Sequence, residues 1–426
     1  MGKIKDKLKG IPVHVKNLGP VRKIREKREE KKQQQDMLWS PADAQNLEFP
    51  DQVEIYQKKK KNKWIIISSI VVVGVLGLFI FDYFHVATGY FVTSDEERSD
   101  ISGTQYLELG SGLLKFSSDG ASSISNSGEV NWSTTYSMQS PIADICENTA
   151  AIADQKGTQI YVFGEEGLKG QFKTLLPIEK VKVARQGVVA AVLEDGDVTW
   201  INFYDASGTE IAKNRTSLGE SGYPLDIALS PDGMKIMISY LKTTTGVIST
   251  DISFYNFDSV GQTKIDNMVS STSYENAVAP NVCFLSESVS AAFRDDGFSI
   301  YKGKQIPEEK ANVEFEQEVL SIFYDDSHLG FVFASDKIEH KYKIQLYDLN
   351  GRKTMEQYID MEYTKIKLDG GKIILLNDKK CAIYSTGGRK LFEGTFQEPL
   401  VDVISVPGLR KYMALTQNST IWFRLK

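Results

Sequence analysis

The sequence predicts an all-β fold, a β-propeller of four-stranded blades, preceded by a single transmembrane helix. From residue 101 onward, short runs rich in Val, Ile, Tyr and Phe alternate with Gly, Asn, Asp and Ser, which is typical of strands and turns. One turn motif recurs there at the spacing of propeller blades. An apolar run without charge separates this region from a basic N-terminal segment.

The apolar run predicts a membrane span over residues 64–84. No charged residue lies between Trp64 and Phe81. These 18 residues rise about 27 Å as a helix, close to the ~30 Å hydrocarbon core of a bilayer. A buried core helix would show polar residues at helical spacing, and a cleavable signal peptide would begin much nearer the N-terminus. The run therefore favours an uncleaved signal anchor.

Charge orients this anchor. Residues 1–63 hold 17 Lys and Arg against nine Asp and Glu, whereas the rest of the chain holds 33 against 47. Because translocation of a basic flank is disfavoured, we expect a single-pass cell-membrane protein with a cytoplasmic N-terminus, an extracellular C-terminal domain and membrane lipid as one partner. The lysines that carry this prediction are Lys58, Lys59, Lys60, Lys61 and Lys63.

The chain divides into four segments. Residues 1–63 form a basic cytoplasmic arm, partly helical or disordered, because mixed charge leaves too few apolar residues for a core. Residues 64–84 are the signal anchor and residues 85–103 a linker. Residues 104–426 are predicted to form the extracytoplasmic propeller.

The recurring motif is an aromatic strand, a turn of Asp, Ser, Asn and Gly, and a polar strand, as in "FYDASGTEI" and "YDLNGRKTM". Its glycines are separated by 39, 41, 53, 42, 48 and 37 residues, which is the period of propeller blades. Hairpin turns of this kind need a positive φ, which Gly adopts without steric cost. The blade-turn glycines are Gly128, Gly167, Gly208, Gly261, Gly303, Gly351 and Gly388.

Each interval between two successive blade-turn glycines holds further predicted strands, so that one repeat contains four strands. A turn "SPDG", which includes Asp232 and Gly233, is typical of the connection between the first two strands of a blade. The units add up to eight blades, with the last closed by a strand between Gly89 and Gly103 or left three-stranded. Seven blades follow if the N-terminal strands complete the C-terminal unit instead.

One repeat resembles those of quinoprotein-type eight-bladed propellers. In "GLLKFSSDG" and the following "NSGEVNWSTTY", a turn glycine precedes a strand that contains Trp132. The layout of arm, anchor and WD40-like propeller is similar to a family of uncharacterised membrane-anchored propellers of Gram-positive, clostridial-type bacteria. This resemblance implies the architecture and passes on no catalytic residue.

The sequence predicts no enzyme activity, metal or cofactor. Quinoprotein enzymes use adjacent cysteines, whereas Cys146, Cys283 and Cys381 are far apart. His328 and His340 lack metal-ligand spacing, and no GxSxG, HExxH or phosphate-binding loop is present. The acidic pairs in "LEDGDV" and "FRDDGF" fit ordinary turn chemistry, although carboxylates from several blades could converge on a cation.

We expect a protein-interaction scaffold or binding module of the cell envelope, with envelope proteins rather than nucleic acid as partners. The acidic outer domain should bind basic or neutral proteins. The alternative is a ligand-binding, glycan-binding or hydrolytic propeller that uses the central channel. A catalytic propeller should gather carboxylates or histidines at one channel mouth, whereas a scaffold should expose an apolar patch on a face or rim.

Overall fold

The computed structural model describes residues 61–74, 86–98, 100–101, 103–196, 198–217, 221–244 and 246–426. The chain divides into two compact units, Met1–His85 and Val86–Lys426. In the first unit, residues 61–74 form a helix with exposed side chains, which include Lys61 and Lys63. None of the helices in the described ranges is long and apolar enough to span a bilayer. The rest of the predicted span, residues 75–84, and the lysines Lys58, Lys59 and Lys60 lie outside the described residues.

The second unit is a β-propeller of eight four-stranded antiparallel sheets, as the sequence predicts. In blades 1 to 7 the four strands follow one another along the chain, and the first strand is the innermost. Blade 1 holds β2 (Gln105–Leu109), β3 (Gly112–Phe116), β4 (Gly120–Ile124) and β5 (Val130–Thr135). Blade 2 holds β6 (Pro141–Cys146), β7 (Thr149–Asp154), β8 (Gln159–Gly164) and β9 (Gly167–Lys173). Blade 3 holds β10 (Ile178–Val183), β11 (Val189–Asp195), β12 (Val198–Tyr204) and β13 (Glu210–Ser217). Blade 4 holds β14 (Tyr223–Leu229), β15 (Lys235–Thr244), β16 (Val247–Asn256) and β17 (Met268–Glu275).

The remaining blades repeat this plan. Blade 5 holds β18 (Asn281–Ser286), β19 (Val289–Arg294), β20 (Gly297–Lys302) and β21 (Glu308–Glu314). Blade 6 holds β22 (Val319–Tyr324), β23 (His328–Ala334), β24 (Tyr342–Asp348) and β25 (Lys353–Ile359). Blade 7 holds β26 (Lys365–Asp369), β27 (Lys372–Asn377), β28 (Lys380–Ser385) and β29 (Lys390–Thr395). Blade 8 holds β30 (Leu400–Ser405), β31 (Lys411–Thr416), β32 (Ser419–Leu425) and β1 (Tyr90–Glu97).

Strand composition follows position within the blade. Second strands such as β7, "TAAIAD", and β27, "KIILLN", are almost continuously buried because a neighbouring blade covers each face. Fourth strands such as β5, "VNWSTT", alternate between exposed and half-buried residues because they lie at the rim. Eight apolar clusters among the described residues fill the interfaces, one between each neighbouring pair of blades. Burial of these apolar surfaces is the main force that holds the ring together.

The N-terminal strand closes the ring. β1 pairs antiparallel with β32, from Tyr90 opposite Leu425 to Glu97 opposite Ser419. The prediction of eight blades is therefore confirmed, and the seven-bladed alternative is wrong. The segment 85–103, which the sequence assigns to a linker, supplies this outer strand. Its sequence "YFVTSDEE" is exposed along almost its whole length, so no apolar period identifies it as a strand.

The propeller has two distinct faces. Because neighbouring strands run in opposite directions, first-to-second and third-to-fourth turns lie on one face, and second-to-third turns and blade connections lie on the other. The first face also holds both chain ends of the propeller, since Lys426 N donates to Gly89 O at 2.9 Å and Leu425 N to Arg410 O at 3.1 Å. We name it the entry face, and its opposite the far face.

Candidate functional site

The first strands of several blades carry charged side chains that pair with one another. Lys182 Nζ lies 3.2 Å from Asp144 Oδ1, and Lys180 Nζ lies 3.0 Å from Asp226 Oδ1. The second Asp144 oxygen accepts a hydrogen bond from Val183 N at 2.8 Å. These contacts run between blades 2, 3 and 4 and so tie their inner strands together.

A second group of charges joins blades 7, 8 and 1. Lys367 Nζ lies 3.1 Å from Asp402 Oδ1 and 2.8 Å from Glu108 Oε1. Lys365 Nζ lies 2.7 Å from the other Asp402 oxygen. Glu108 and Lys367 are 259 residues apart in sequence, which hides this contact from any local pattern.

Burial and pairing act against each other in these groups. Burial raises the pKa of the Asp144 carboxyl, although Lys182 opposes the rise. Burial alone would lower the pKa of Lys182, but attraction by Asp144 and Asp226 raises it overall. Burial would likewise lower the pKa of Lys367, but attraction by Asp402 and Glu108 raises it overall. Each of these carboxylates has a lysine partner, so the arrangement binds blade to blade rather than presenting a row of unpaired acids.

The described histidines lie outside the first strands, whereas two of the cysteines lie on them. His328 Nδ1 lies 3.3 Å from Asp325 Oδ1 at the turn that follows β22, and His340 Nδ1 lies 3.0 Å from Asp360 Oδ1 on the far face. Cys146 ends β6, and Cys283 lies in β18. Over the part of the chain that the structure describes, no three His, Cys, Asp or Glu are grouped so as to hold a metal ion.

The three cysteines are free and lie in blades 2, 5 and 7. Burial raises the pKa of the half-buried Cys146 thiol to about 11 and that of the buried Cys283 thiol to about 12. Burial raises the pKa of Cys381 as well. Thiols with raised pKa values are poor nucleophiles at neutral pH.

The acidic pairs of the far face are part of local turns. Asp295 Oδ1 accepts a hydrogen bond from Val278 N at 2.9 Å, and Asp296 Oδ1 lies 2.6 Å from Arg294 Nε. Asp195 ends β11, and Asp197 lies outside the described residues.

The predicted blade-turn glycines all lie between third and fourth strands on the entry face. Gly261 differs from the others, because it begins a short 3-10 turn, Gly261–Thr263, within a longer connection. A Cβ at Gly261 would lie 1.6 Å from Asn256 O, so close backbone approach requires the glycine there. The other six, and Gly233 beside Asp232 in the "SPDG" turn, have positive φ: Gly128, Gly167, Gly208, Gly233, Gly303, Gly351 and Gly388.

Several of these turns also press on the fourth strand of the preceding blade. A Cβ at Gly208 would lie 2.3 Å from Phe172 Cβ, and one at Gly351 would lie 2.9 Å from Ala311 Cβ. Gly167 faces Trp132, which stacks on Phe163 with 4.8 Å between ring centroids. The sequence motif predicts the geometry of the turn. The contact of the turn with the fourth strand of the preceding blade is seen only in the structure.

A cavity of about 560 Å³ opens at the seam between blades 8 and 1, lined partly by the turn that contains Ser125 and Ser127. Trp422 forms part of its wall and donates from Nε1 to Asn126 O at 2.7 Å. The apolar cluster at this seam is small, with Leu113, Ile404, Met413 and Leu415 as its buried members. No sequence motif indicates the cavity.

The far face carries a projecting hairpin in blade 4. β15 and β16 each have ten residues, but Tyr223 of β14 reaches only to Leu241, and β17 ends opposite Ser249. Residues 242–244 and 246–248 therefore extend beyond their neighbours, and we call them the projecting hairpin. Tyr223 beside it is 55% exposed, Val247 43% and Ile248 46%.

The longest glycine interval, 53 residues between Gly208 and Gly261, marks this blade in the sequence. That interval signals an extension without showing where it lies. Cross-strand register places Leu241 opposite Tyr223 and Ile248 opposite Thr243. Since side chains alternate along a strand, Tyr223, Leu241 and Ile248 share one side of the hairpin.

Comparison with solved structures finds other propellers at low identity. The crystal structure of BamB from Moraxella catarrhalis is 12% identical, with a TM-score of 0.47, and the match covers 78% of this chain and 99% of that one. BBS1N in complex with ARL6DN is 11% identical, with a TM-score of 0.41 and coverage of 80% and 98%. The Neurospora crassa Pan2 WD40 domain is 10% identical, with a TM-score of 0.39 and coverage of 67% and 88%.

Sequence comparison gives the family. No curated protein matches the sequence. The model of a family of unknown function, DUF5711, matches residues 83–425, which include every strand of the propeller. The chain therefore belongs to the DUF5711 family.

Proposed function

We propose that this protein is a single-pass, membrane-anchored extracytoplasmic scaffold with a binding rather than a catalytic role, which holds an envelope protein at the projecting hairpin. The observation that carries the proposal is the hairpin itself, with exposed Tyr223 and Ile248 on one side of it at the far face. Exposed apolar residues grouped on one surface mark sites of protein contact, and Tyr is enriched in such interfaces.

The hairpin also offers backbone groups to a partner. No described strand pairs with residues 242–244 on the edge that faces away from β16. An extended segment of a partner can add to such an edge through main-chain hydrogen bonds, while side-chain pockets supply specificity. Lys242, at the start of this edge, pairs with Asp251 of β16, with 2.6 Å between Nζ and Oδ2.

Charge supports the external placement of this surface. Residues 64–84 supply the membrane span, and the charge difference across it supports an external propeller. With 33 basic and 47 acidic residues after position 63, this domain favours a basic or neutral partner.

Site-specific photo-crosslinking in intact cells tests the binding site. A benzophenone amino acid at position 248 should capture one discrete protein. The matched control is position 130 on the entry face, where Val130 is an equally apolar residue with 62% exposure. Equal capture at both positions, or no capture at position 248, would contradict the proposed site.

Cysteine labelling tests the topology separately. Leu175 is 97% exposed on the far face, and the native Cys283 and Cys381 are buried. A membrane-impermeant maleimide should label the Leu175→Cys variant in intact cells above the background of the unaltered protein. Labelling that appears only after cell lysis would overturn the external placement.

A further inference from the structure

We propose that one corner of the entry face, formed by Phe91, Leu409, Lys411, Arg424 and Lys426 of blade 8, rests on the anionic headgroups of phospholipids. We call these five residues the blade 8 corner. The inference rests on the proposed membrane anchor and adds a lipid contact to it. All five side chains are exposed.

The cations of this corner lie side by side. Arg424 lies in β32, between two neighbouring strands. It is directly opposite Lys411 of β31 and directly opposite Phe91 of β1. Directly opposed residues point to the same side of a sheet, so Lys411 and Arg424 are adjacent like charges. Such a pair destabilises a sheet unless an anion compensates it. Neither residue makes an ion pair with a described carboxylate.

Apolar side chains stand beside these charges. Leu409 is 75% exposed at the tip of the first turn of blade 8, in "VPGLRKY", and Phe91 is 55% exposed. Lys426 Nζ lies 4.3 Å from the centre of the Phe91 ring. Exposed apolar residues flanked by Lys and Arg are typical of surfaces that lie at the boundary between headgroups and acyl chains.

The chain enters the propeller beside this corner. Ala87 N donates to Leu391 O at 3.0 Å, and Lys426 N donates to Gly89 O at 2.9 Å, so residues 87–89 are fixed to the propeller next to Lys426. Attraction between exposed charges acts over about 8 to 10 Å at physiological salt, so these cations attract any headgroup charge that comes within that distance.

Blades 1 to 4 do not fit the same partner. Their entry-face turns expose carboxylates, which anionic headgroups would repel. These carboxylates include Glu129, Glu147, Glu165, Glu166 and Asp266. We therefore assign the contact to blade 8, where exposed apolar side chains stand beside the cations.

Hydrogen–deuterium exchange on the full chain in lipid nanodiscs tests the contact. Backbone amides of residues 406–411 should exchange more slowly in discs of phosphatidylcholine with phosphatidylglycerol than in discs of phosphatidylcholine alone. Because one cation near an anionic surface changes the bound population about fivefold, Lys411→Ser alone should remove about that much protection. The triple variant Lys411→Ser, Arg424→Ser, Lys426→Ser should remove the dependence on lipid charge altogether.

The matched control changes three exposed far-face lysines, Lys337→Ser, Lys341→Ser and Lys379→Ser, and should keep the protection. Equal exchange in both kinds of disc, or equal loss in the control, overturns the lipid contact. Protection that appears only when a protein is added identifies a different occupant and also overturns it. If the chain does not enter discs of either composition, the anchor itself fails, which separates that failure from the failure of the lipid contact.

Discussion

Two elements of the propeller, the turn around Gly208 on the entry face and the projecting hairpin on the far face, differ in how closely a neighbouring blade surrounds them. Asp205 Oδ1 accepts hydrogen bonds from Ser207 N and Thr209 N, both at 2.9 Å, and Gly208 packs on Phe172 of the preceding blade. The described residues of the projecting hairpin extend past their neighbours and expose apolar side chains. The first element is thus fixed by packing between blades, and the second is available for binding.

The largest expected effect compares two glycines with similar backbone angles. Gly208 has φ +90°, and a Cβ there would lie 2.3 Å from Phe172 Cβ. Gly246 of the projecting hairpin has φ +83°, and no described atom lies within 4 Å of where its Cβ would be. Gly208→Ala adds strain and overpacking and should lower the free energy of unfolding by about 3 kcal/mol. Gly246→Ala adds conformational strain alone, about 1 kcal/mol. Urea denaturation of both variants measures the difference.

If Gly208→Ala and Gly246→Ala lower the free energy of unfolding equally, packing between blades does not stabilise the turn around Gly208. Backbone conformation alone would then explain the effect of both substitutions.

The second expected effect concerns the channel between the faces. Lys182→Met leaves Asp144 largely buried without its partner and should lower the free energy of unfolding by about 2 to 3 kcal/mol. The control is Lys213→Met, because Lys213 is exposed and lies 3.4 Å from Glu210, and its loss should amount to less than about 1 kcal/mol. Equal losses in urea denaturation would show that the inner-strand pair does not join the blades.

The same contrast explains what the sequence could predict. The glycine motif is visible in the sequence because entry-face turns repeat one geometry in almost every blade. Gly261 departs from it because its blade uses a longer connection with two short 3-10 turns, Gly261–Thr263 and Ile265–Asn267. β1 has no comparable signal because its exposed side chains leave no apolar period.

Long-range contacts are equally invisible to a local pattern. Glu108 meets Lys367 only after the ring has closed, and Asn126 meets Trp422 across 296 residues. The long interval before Gly261 is the one sign of the projecting hairpin in the sequence. Which of its residues are exposed is known only from the structure.

Acid should weaken the entry-face turns that contain Asp205 and Asp348. Hydrogen bonds from Ser207 and Thr209 lower the pKa of Asp205. Slight burial opposes a fall in the pKa of Asp348, but backbone hydrogen bonds from Arg352 and Asn350 lower it overall. A carboxyl whose pKa is lower in the folded state stabilises the fold above its unfolded value of 3.8, and this contribution is lost as the pH falls through the folded value. The midpoint of urea denaturation should therefore drop below about pH 4.

A substitution tests one of these groups. Asp348→Asn should reduce the dependence of the denaturation midpoint on pH below about 4. An acid transition that is identical in this variant and the unaltered protein would remove the Asp348 turn from this explanation.

The smallest effect on stability belongs to the projecting hairpin. Tyr223→Ser with Ile248→Ser changes two side chains that are 55% and 46% exposed, so the free energy of unfolding should change by less than about 0.5 kcal/mol per substitution. The proposed partner should nevertheless be lost from the crosslinked product, because both apolar contacts lie on one side of the hairpin. Val130→Ser on the entry face should preserve the product. A double variant that retains its partner would contradict the binding role of the projecting hairpin. A double variant that unfolds would show that these two side chains stabilise the ring.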